Sequence, residues 1–190
     1  ICQRIATGKG SLVNTSLFES GLMWASNHVA QYSVTGKMPP RQGTGHPTLT
    51  PYQAFECSDG PLMICPGNDR LWRKFAEVLG HPEWPDEPRF RTNVDRAQRR
   101  DELLGMIMDI MKKQSRAYWS AKLDALVVPN GPLNSVPQVL DLAQVDALGM
   151  FAKPYADSPA LFHGLPVSFD GERAGDGEKA PRIGEHNGKV

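Results

Sequence analysis

Apolar positions along the chain fall into runs with helical or strand spacing, separated by segments rich in Gly and Pro. The opening ICQRIATGKG reads as the last turn of a helix running into a loop at Gly8 and Gly10. Ile1 is not a methionine, and a chain that opens inside an element is expected to have lost what preceded it. Ser11 to Val13 is expected to form a short strand. Ser16 and Glu19 then have capping-box spacing at the start of a helix that stops at Gly36. Leu17, Gly21, Trp24, His28 and Tyr32 mark one stripe of that helix, and Phe18, Leu22, Ala25 and Val29 the stripe beside it. So wide an apolar face predicts cover on more than one side.

Lys37 to Pro51 is a loop of fifteen residues with four prolines, two glycines and no periodicity, and loops of this length are more often functional than accidental. Tyr52 to Cys57 and Leu62 to Cys65 flank Ser58-Asp59-Gly60-Pro61 and read as a β-hairpin. Gly67-Asn68-Asp69 caps a helix with Leu71, Trp72, Phe75, Val78 and Leu79 on one face, ending at Gly80. HPEWPDEPRF is a connector. Asn93 is expected to cap the next helix, which carries Leu103, Leu104, Ile107, Ile110 and Met111, and Ser115 another through Trp119, Leu123 and Leu126. Pro129-Asn130-Gly131-Pro132 reads as a turn leading to a helix over Val139 to Val145. From Met150 two edge-type strands are expected, around Phe151 and over Leu161 to Phe169, followed by a polar tail, extended and partly mobile. The inventory is predominantly helical, with two hairpin strands and a few late ones, and has no repeated strand–helix–strand unit to build a doubly wound sheet alone. Its wide apolar helix and isolated strands predict elements that complete another core.

Composition narrows the function classes. Across 190 residues, Lys and Arg total 21 and Asp and Glu 21, so the formal charge is zero and nucleic-acid binding by bulk charge is excluded. No run approaches the roughly 20 apolar residues of a membrane span, which predicts a cytoplasmic protein with no membrane partner. Cys2, Cys57 and Cys65 have no metal-ligand spacing and read as reduced, mostly buried thiols. His28, His46, His81, His163 and His186 are scattered without the i, i+4 spacing of a helical metal site, so no metal is expected. Nucleotide-binding glycine motifs and a nucleophile elbow are absent from the sequence.

The residues that invite chemistry are Gly43, Thr44, Gly45 and His46, within Arg41-Gln42-Gly43-Thr44-Gly45-His46-Pro47. Two glycines two apart let a backbone approach a ligand and expose N–H donors to an anionic or thioester-derived oxygen. Turning the chain is the blander role, with His46 bonded to a carbonyl, and short glycine patterns match by chance often. Glu185-His186 reads as a solvated pair in the tail. The run Arg96 to Glu102 could meet a phosphate, but alternating signs more commonly mark an ion-paired, solvated face. Core packing is the expectation for Trp24, Trp72, Trp84 and Trp119.

TGKGSLVNTSLFES, VTGKMPPRQGTGHPTLTPYQAFECSDG, GNDRLWRKFAEVLG, PRFRTNVDRAQRRDEL, VPNGPLNSVPQVL and APRIGEHN, in this order, closely resemble class III CoA-transferases. That family includes formyl-CoA transferase, carnitine CoA-transferase, bile-acid-inducible F type proteins and α-methylacyl-CoA racemase. The resemblance runs through nearly all residues and corresponds to roughly the second half of a member. It implies an α/β fold, α+β for this fragment, with a Rossmann-like large domain completed by the C-terminal end, an inserted small domain and an interlocked homodimer. Residues 1–36 would be the linking strand and helix, 37–146 the small domain, and 147–190 the return to the large domain.

The resemblance also implies CoA transfer between carboxylic acids, with acyl-CoA and acid as substrates and no permanently bound cofactor. An aspartate attacks the thioester, giving a mixed anhydride and then an aspartyl-CoA thioester. That aspartate would lie upstream, leaving no catalytic residue here and the fragment inactive alone; which residues bind CoA is left open. The family's active-site glycine loop falls on Gly43, Thr44, Gly45 and His46. GTGH lacks the four-glycine run of formyl-CoA transferase, which argues against oxalate as acceptor. Val127 stands where relatives often carry Gly, and a β-branched residue resists the left-handed conformation, so a different turn is expected there. A racemase or epimerase of the same family and a non-catalytic dimerisation module are the alternatives.

Overall fold

The structure, a computed structural model, describes residues 1–153, 158–173, 183–185 and 187–188. It divides into two compact units, Ile1–Gly131 and Pro132–Val190. The first begins with α1 (Cys2–Thr7), α2 (Leu17–Trp24) and α3 (Ser26–Thr35). Ser16 caps α2, its hydroxyl accepting from the Glu19 N–H, and Gly36 ends α3 at φ 66. Two expectations fail here. Ser11 to Val13 forms no strand, and the single long helix is two, because the chain jogs at Ala25 (φ −82, ψ 0) before Ser26 and Asn27, residues that compete with helical hydrogen bonds. The wide apolar face is uncovered: none of these helices has a buried residue, and Trp24 is 91% exposed rather than in a core.

The core of the unit starts at the hairpin. β1 (Gln53–Cys57) and β2 (Gly60–Ile64) pair antiparallel with Phe55 opposite Leu62, and alternation sends Phe55, Cys57, Leu62 and Ile64 to the buried face. A third strand, β3 (Asn130–Pro132), lies beside β2, where a turn was expected. Against this sheet pack α4 (Asp69–Val78), α6 (Arg100–Met111) and α7 (Arg116–Ala125), burying Trp72, Phe75, Leu103, Ile107, Met111 and Leu123, with α5 (Asn93–Gln98) packed on α6. The proline-rich connector adds a 3₁₀ turn, Trp84–Asp86, which stacks the Trp84 ring 6.3 Å from Trp72. Buried indoles keep their N–H groups satisfied: Trp72 donates to Phe90 O at 3.0 Å and Trp119 to Met111 O at 2.8 Å.

Asn68 and Ser115 cap α4 and α7 as expected, whereas α5 is capped by Thr92 in a full capping box with Asp95, which leaves Asn93 free for another task. The expected continuous helix from Asn93 is also interrupted, at Arg99 (φ −114, ψ 32). In the second unit, Pro137 and Leu142 confine the expected helix to two short ones, α8 (Val136–Leu140) and α9 (Ala143–Leu148). β4 (Phe151–Ala152) pairs with β5 (Phe162–His163), and β6 (Ser168–Phe169) with β7 (Glu172–Arg173), both antiparallel. Most of the polar tail, His186 included, lies outside the described residues.

Two helices end in the same motif with different residues. After α4, Gly80 (φ 85) donates to Glu77 O and His81 to Ala76 O. After α7, Val127 donates to Asp124 O and Val128 to Leu123 O, both at 2.9 Å, the same pair of Schellman bonds closed by a valine at φ 55. The turn after α7 is therefore not different, as expected from sequence, but the standard one held under strain. Buried Leu123 and Val128 flank it and Lys74 Nζ donates to Leu126 O at 2.8 Å, so surrounding contacts impose the conformation. Left-handed backbone costs a β-branched residue about 1–2 kcal/mol, partly offset by glycine's extra chain entropy. Val127 is 75% exposed and contributes little burial. Val127→Gly is expected to stabilise the protein by about 0.5–1 kcal/mol in urea denaturation; a loss of stability would show that Val127 is unstrained.

Candidate functional site

The glycine loop is tied into the small hairpin and to one face of α5 and α6. Gly45 N–H bonds Gln42 O at 2.8 Å, closing a tight turn with Gly43 at φ 58, a conformation that favours glycine. Within this turn the Gln42 side-chain oxygen is buried with no hydrogen-bond partner among the described residues. Gly45 is tightly surrounded. A Cβ there would sit 2.6 Å from Arg100 Nη2 and 3.0 Å from Gln42 O, so a side chain would displace the guanidinium and crowd the carbonyl. Beyond the turn, Thr44 Oγ1 accepts from Ala54 N–H at 3.1 Å and His46 N–H donates to Tyr52 O at 2.9 Å.

These bonds revise which donors face outward. The N–H groups of Gly45 and His46 are used within the loop and hairpin, while those of Gly43 and Thr44 have no partner among the described residues. Any oxyanion at this loop would therefore meet Gly43 and Thr44 N–H, together with the Thr44 hydroxyl proton. Gly43 and Thr44 are exposed; Gly45 and His46 are half-buried. His46 does not bond a carbonyl through its ring. Its Nδ1 accepts from Thr48 N–H and Leu49 N–H, each at 3.1 Å.

The far side of the loop is held by residues whose role the charge pattern concealed. Asn93 accepts from Thr50 N–H at 3.0 Å and donates to Thr48 O at 2.8 Å. Arg96 is 1% exposed and donates to Thr50 O at 2.7 Å, to Phe90 O and Arg91 O at 3.1 Å, and to Asp69 Oδ1 at 2.7 Å. Arg100 donates to His46 O at 3.1 Å and Thr50 Oγ1 at 3.2 Å. Burial pulls the Arg96 guanidinium below its usual value, against the opposing pull of Asp69. The Arg96–Glu102 run is thus only partly a solvated face. Arg99 and Glu102 pair in that way, and Arg89 joins Glu102, but positions 93, 96 and 100 face inward. Their i, i+3, i+7 spacing was the available signal, hidden because polar residues at core spacing normally read as surface.

Beside the loop, the Tyr52 ring lies 5.1 Å from His46, and hydrogen bonding to the Cys65 thiol raises its phenol above the ordinary value. Cys57, the last residue of β1, is buried, its thiol pushed up to about 11 by desolvation and by Asp59 and Glu56. Cys2 is exposed, against the expectation of burial. Among the described residues no group of three or more His, Cys, Asp or Glu could hold a metal, and no helix is long and apolar enough to cross a membrane.

Arg96→Met is expected to strand the Thr50 and Arg91 carbonyls and cost about 2–4 kcal/mol in chemical denaturation, with faster amide exchange at Thr50. Unchanged exchange there would show that the loop does not depend on this guanidinium. With its thiol near pH 11, Cys57 is only ~0.1% thiolate at pH 8. Iodoacetamide at that pH is expected to alkylate Cys2 at least about tenfold faster than Cys57, and comparable rates would contradict the buried environment.

Comparison with known proteins matches residues 1–187 to the family described as CoA-transferase family III. An acetyl-CoA:oxalate CoA-transferase of Acetobacter aceti is 34% identical over 187 residues, covering 96% of this chain and 46% of that protein. A succinyl-CoA:glutarate CoA-transferase of Mus musculus is 30% identical, covering 98% and 43%. The crystal structure of a CAIB/BAIF family protein from Brucella suis superposes with a TM-score of 0.78 at 31% identity, over 97% of this chain and 48% of that one. The chain spans about half the length of the curated relatives it matches. It belongs to CoA-transferase family III, as the C-terminal portion of its members.

Proposed function

We propose that the full-length protein moves CoA between carboxylic acids, and that this chain supplies the small domain, residues 37–146, whose glycine loop covers the reacting thioester. The observation that carries the reading is the loop itself, a hydrogen-bonded turn whose Gly43 and Thr44 N–H groups have no partner among the described residues, held by Arg100 through the His46 carbonyl. Fixed donors of this kind stabilise an oxyanion without reorganising when charge develops. The nucleophile is an aspartate outside this chain. Its carboxylate attacks the thioester carbonyl and expels CoA thiolate, leaving a mixed anhydride. The thiolate then attacks the aspartyl carbonyl, releasing the donor acid and leaving an aspartyl-CoA thioester. The acceptor carboxylate attacks that carbonyl and expels CoA thiolate, and the thiolate attacks the acceptor carbonyl of the new anhydride, forming the acceptor-CoA thioester and freeing the aspartate.

The names of the two relatives, for oxalate and for glutarate, support a short dicarboxylic acid as one substrate. Residues 1–36 link to a large domain and 147–190 return to it, in an interlocked cytoplasmic homodimer. Leu17, Phe18, Met23 and Trp24, between 75% and 93% exposed, are the surface such an assembly would cover.

Full-length protein incubated with acetyl-CoA or succinyl-CoA and with oxalate or glutarate is expected to form the new thioester. Hydroxylamine trapping followed by peptide mapping should place the hydroxamate outside residues 1–190, and the 190-residue chain alone should not turn over. A hydroxamate on an aspartate within the chain would overturn the assignment.

A further inference from the structure

We propose that His46 is a pre-set hydrogen-bond donor that presents its Nε2–H to an anionic oxygen of the acyl substrate, either a carboxylate or a thioester oxygen as it gains charge. The proposal rests on the reading that the glycine loop covers the site of CoA transfer.

The ring's tautomer follows from its partners. Nδ1 lies 3.1 Å from both Thr48 N–H and Leu49 N–H, with Thr48 Oγ1 at 3.3 Å. A backbone N–H can only donate, so the Nδ1 lone pair is spent as an acceptor and the proton of the neutral ring resides on Nε2. The residue is held elsewhere too. Its N–H donates to Tyr52 O at 2.9 Å, its carbonyl accepts from Arg100 at 3.1 Å, and the Tyr52 ring stands 5.1 Å from the imidazole. Nε2 has no partner among the described residues, and the side chain is only half-buried.

An immobilised, unused donor at the mouth of a turn has one chemical fit. A general base, a nucleophile or a metal ligand needs a free ring lone pair, and here that pair faces the loop's own backbone. What remains is N–H donation from a neutral group, already oriented, which suits an oxygen bearing partial or delocalised negative charge. Gly43 N–H, Thr44 N–H and the Thr44 hydroxyl are the neighbouring donors of the same loop.

His46→Asn separates the two nitrogens. Asn Oδ1 takes the place of Nδ1 as acceptor for Thr48 and Leu49 in an Asx turn, but offers nothing at the Nε2 position. In the full-length enzyme this variant is expected to keep the wild-type melting temperature and the KM for the CoA thioester within about twofold, while kcat falls about 100-fold, the loss typical of one oxyanion donor. Unchanged kcat in the folded variant would overturn the proposal. Long-range proton–nitrogen correlation spectra of the wild-type protein decide the tautomer directly: a proton on Nε2 supports it and one on Nδ1 refutes it. Titrating acetyl-CoA or succinyl-CoA, and separately oxalate or glutarate, into the same sample should shift the Nε2–H resonance. A shift with the thioester alone assigns the donor to the thioester oxygen, one with the acid alone to the carboxylate, and no shift at saturation of any of them would also refute the proposal. If the wild-type protein transfers no CoA, the functional reading fails by itself, while these spectra still judge the donor.

Discussion

A full positive charge sealed from water organises this unit. Arg96 spends its guanidinium on the carbonyl that ends the glycine loop, on two carbonyls of the proline connector and on the carboxylate at the first turn of α4. Its guanidinium carbon lies over the Trp72 indole, 5.3 Å from the ring centroid. Burying an arginine is costly unless its donors are satisfied, so the four segments must arrive together for any of them to be stable there. The hydrophobic core brings the helices and sheet close, but this one side chain sets where loop, connector and helix meet. Asn93 and Arg100, one turn to either side, extend the same constraint along the loop from Thr48 to His46.

The sequence was legible where local chemistry has a single outcome. Ser16, Asn68 and Ser115 accept the expected N–H groups, Gly80 ends its helix, and the alternation around Ser58-Asp59 produces the hairpin in the expected place. It was illegible where one pattern serves two structures. Asn130-Gly131 carries a strong turn signal, yet the segment adds a strand to β2, because the neighbouring sheet edge offers it hydrogen bonds that a turn would leave unmade. The charges from Arg96 to Arg100 look the same whether they face water or a buried carbonyl. Only the tertiary partner, the loop about fifty residues earlier in the chain, tells the two apart.

The glycine loop shows the same division. Gly43 and Gly45 were identifiable as special, but their reasons differ. Gly43 is favoured by a backbone angle, whereas at Gly45 a side chain would have to push aside the guanidinium lying against it, a steric demand that exists only after α6 is in place. The exposed N–H donors expected of both glycines belong instead to Gly43 and Thr44, since Gly45 closes the turn. Val127 is the counterpart, a residue that local rules exclude from its conformation but that the packed ends of α7 and β3 hold there nonetheless.

β1 is the outer strand of its sheet, and such an edge is normally a hazard, a row of unpaired groups open to another chain. Here Ala54 N–H and Tyr52 O on that edge are taken by Thr44 and His46. The loop proposed to cover the chemistry is therefore also the cap that keeps the sheet from recruiting a foreign strand. Lifting it as a flap would break both bonds and bare the edge.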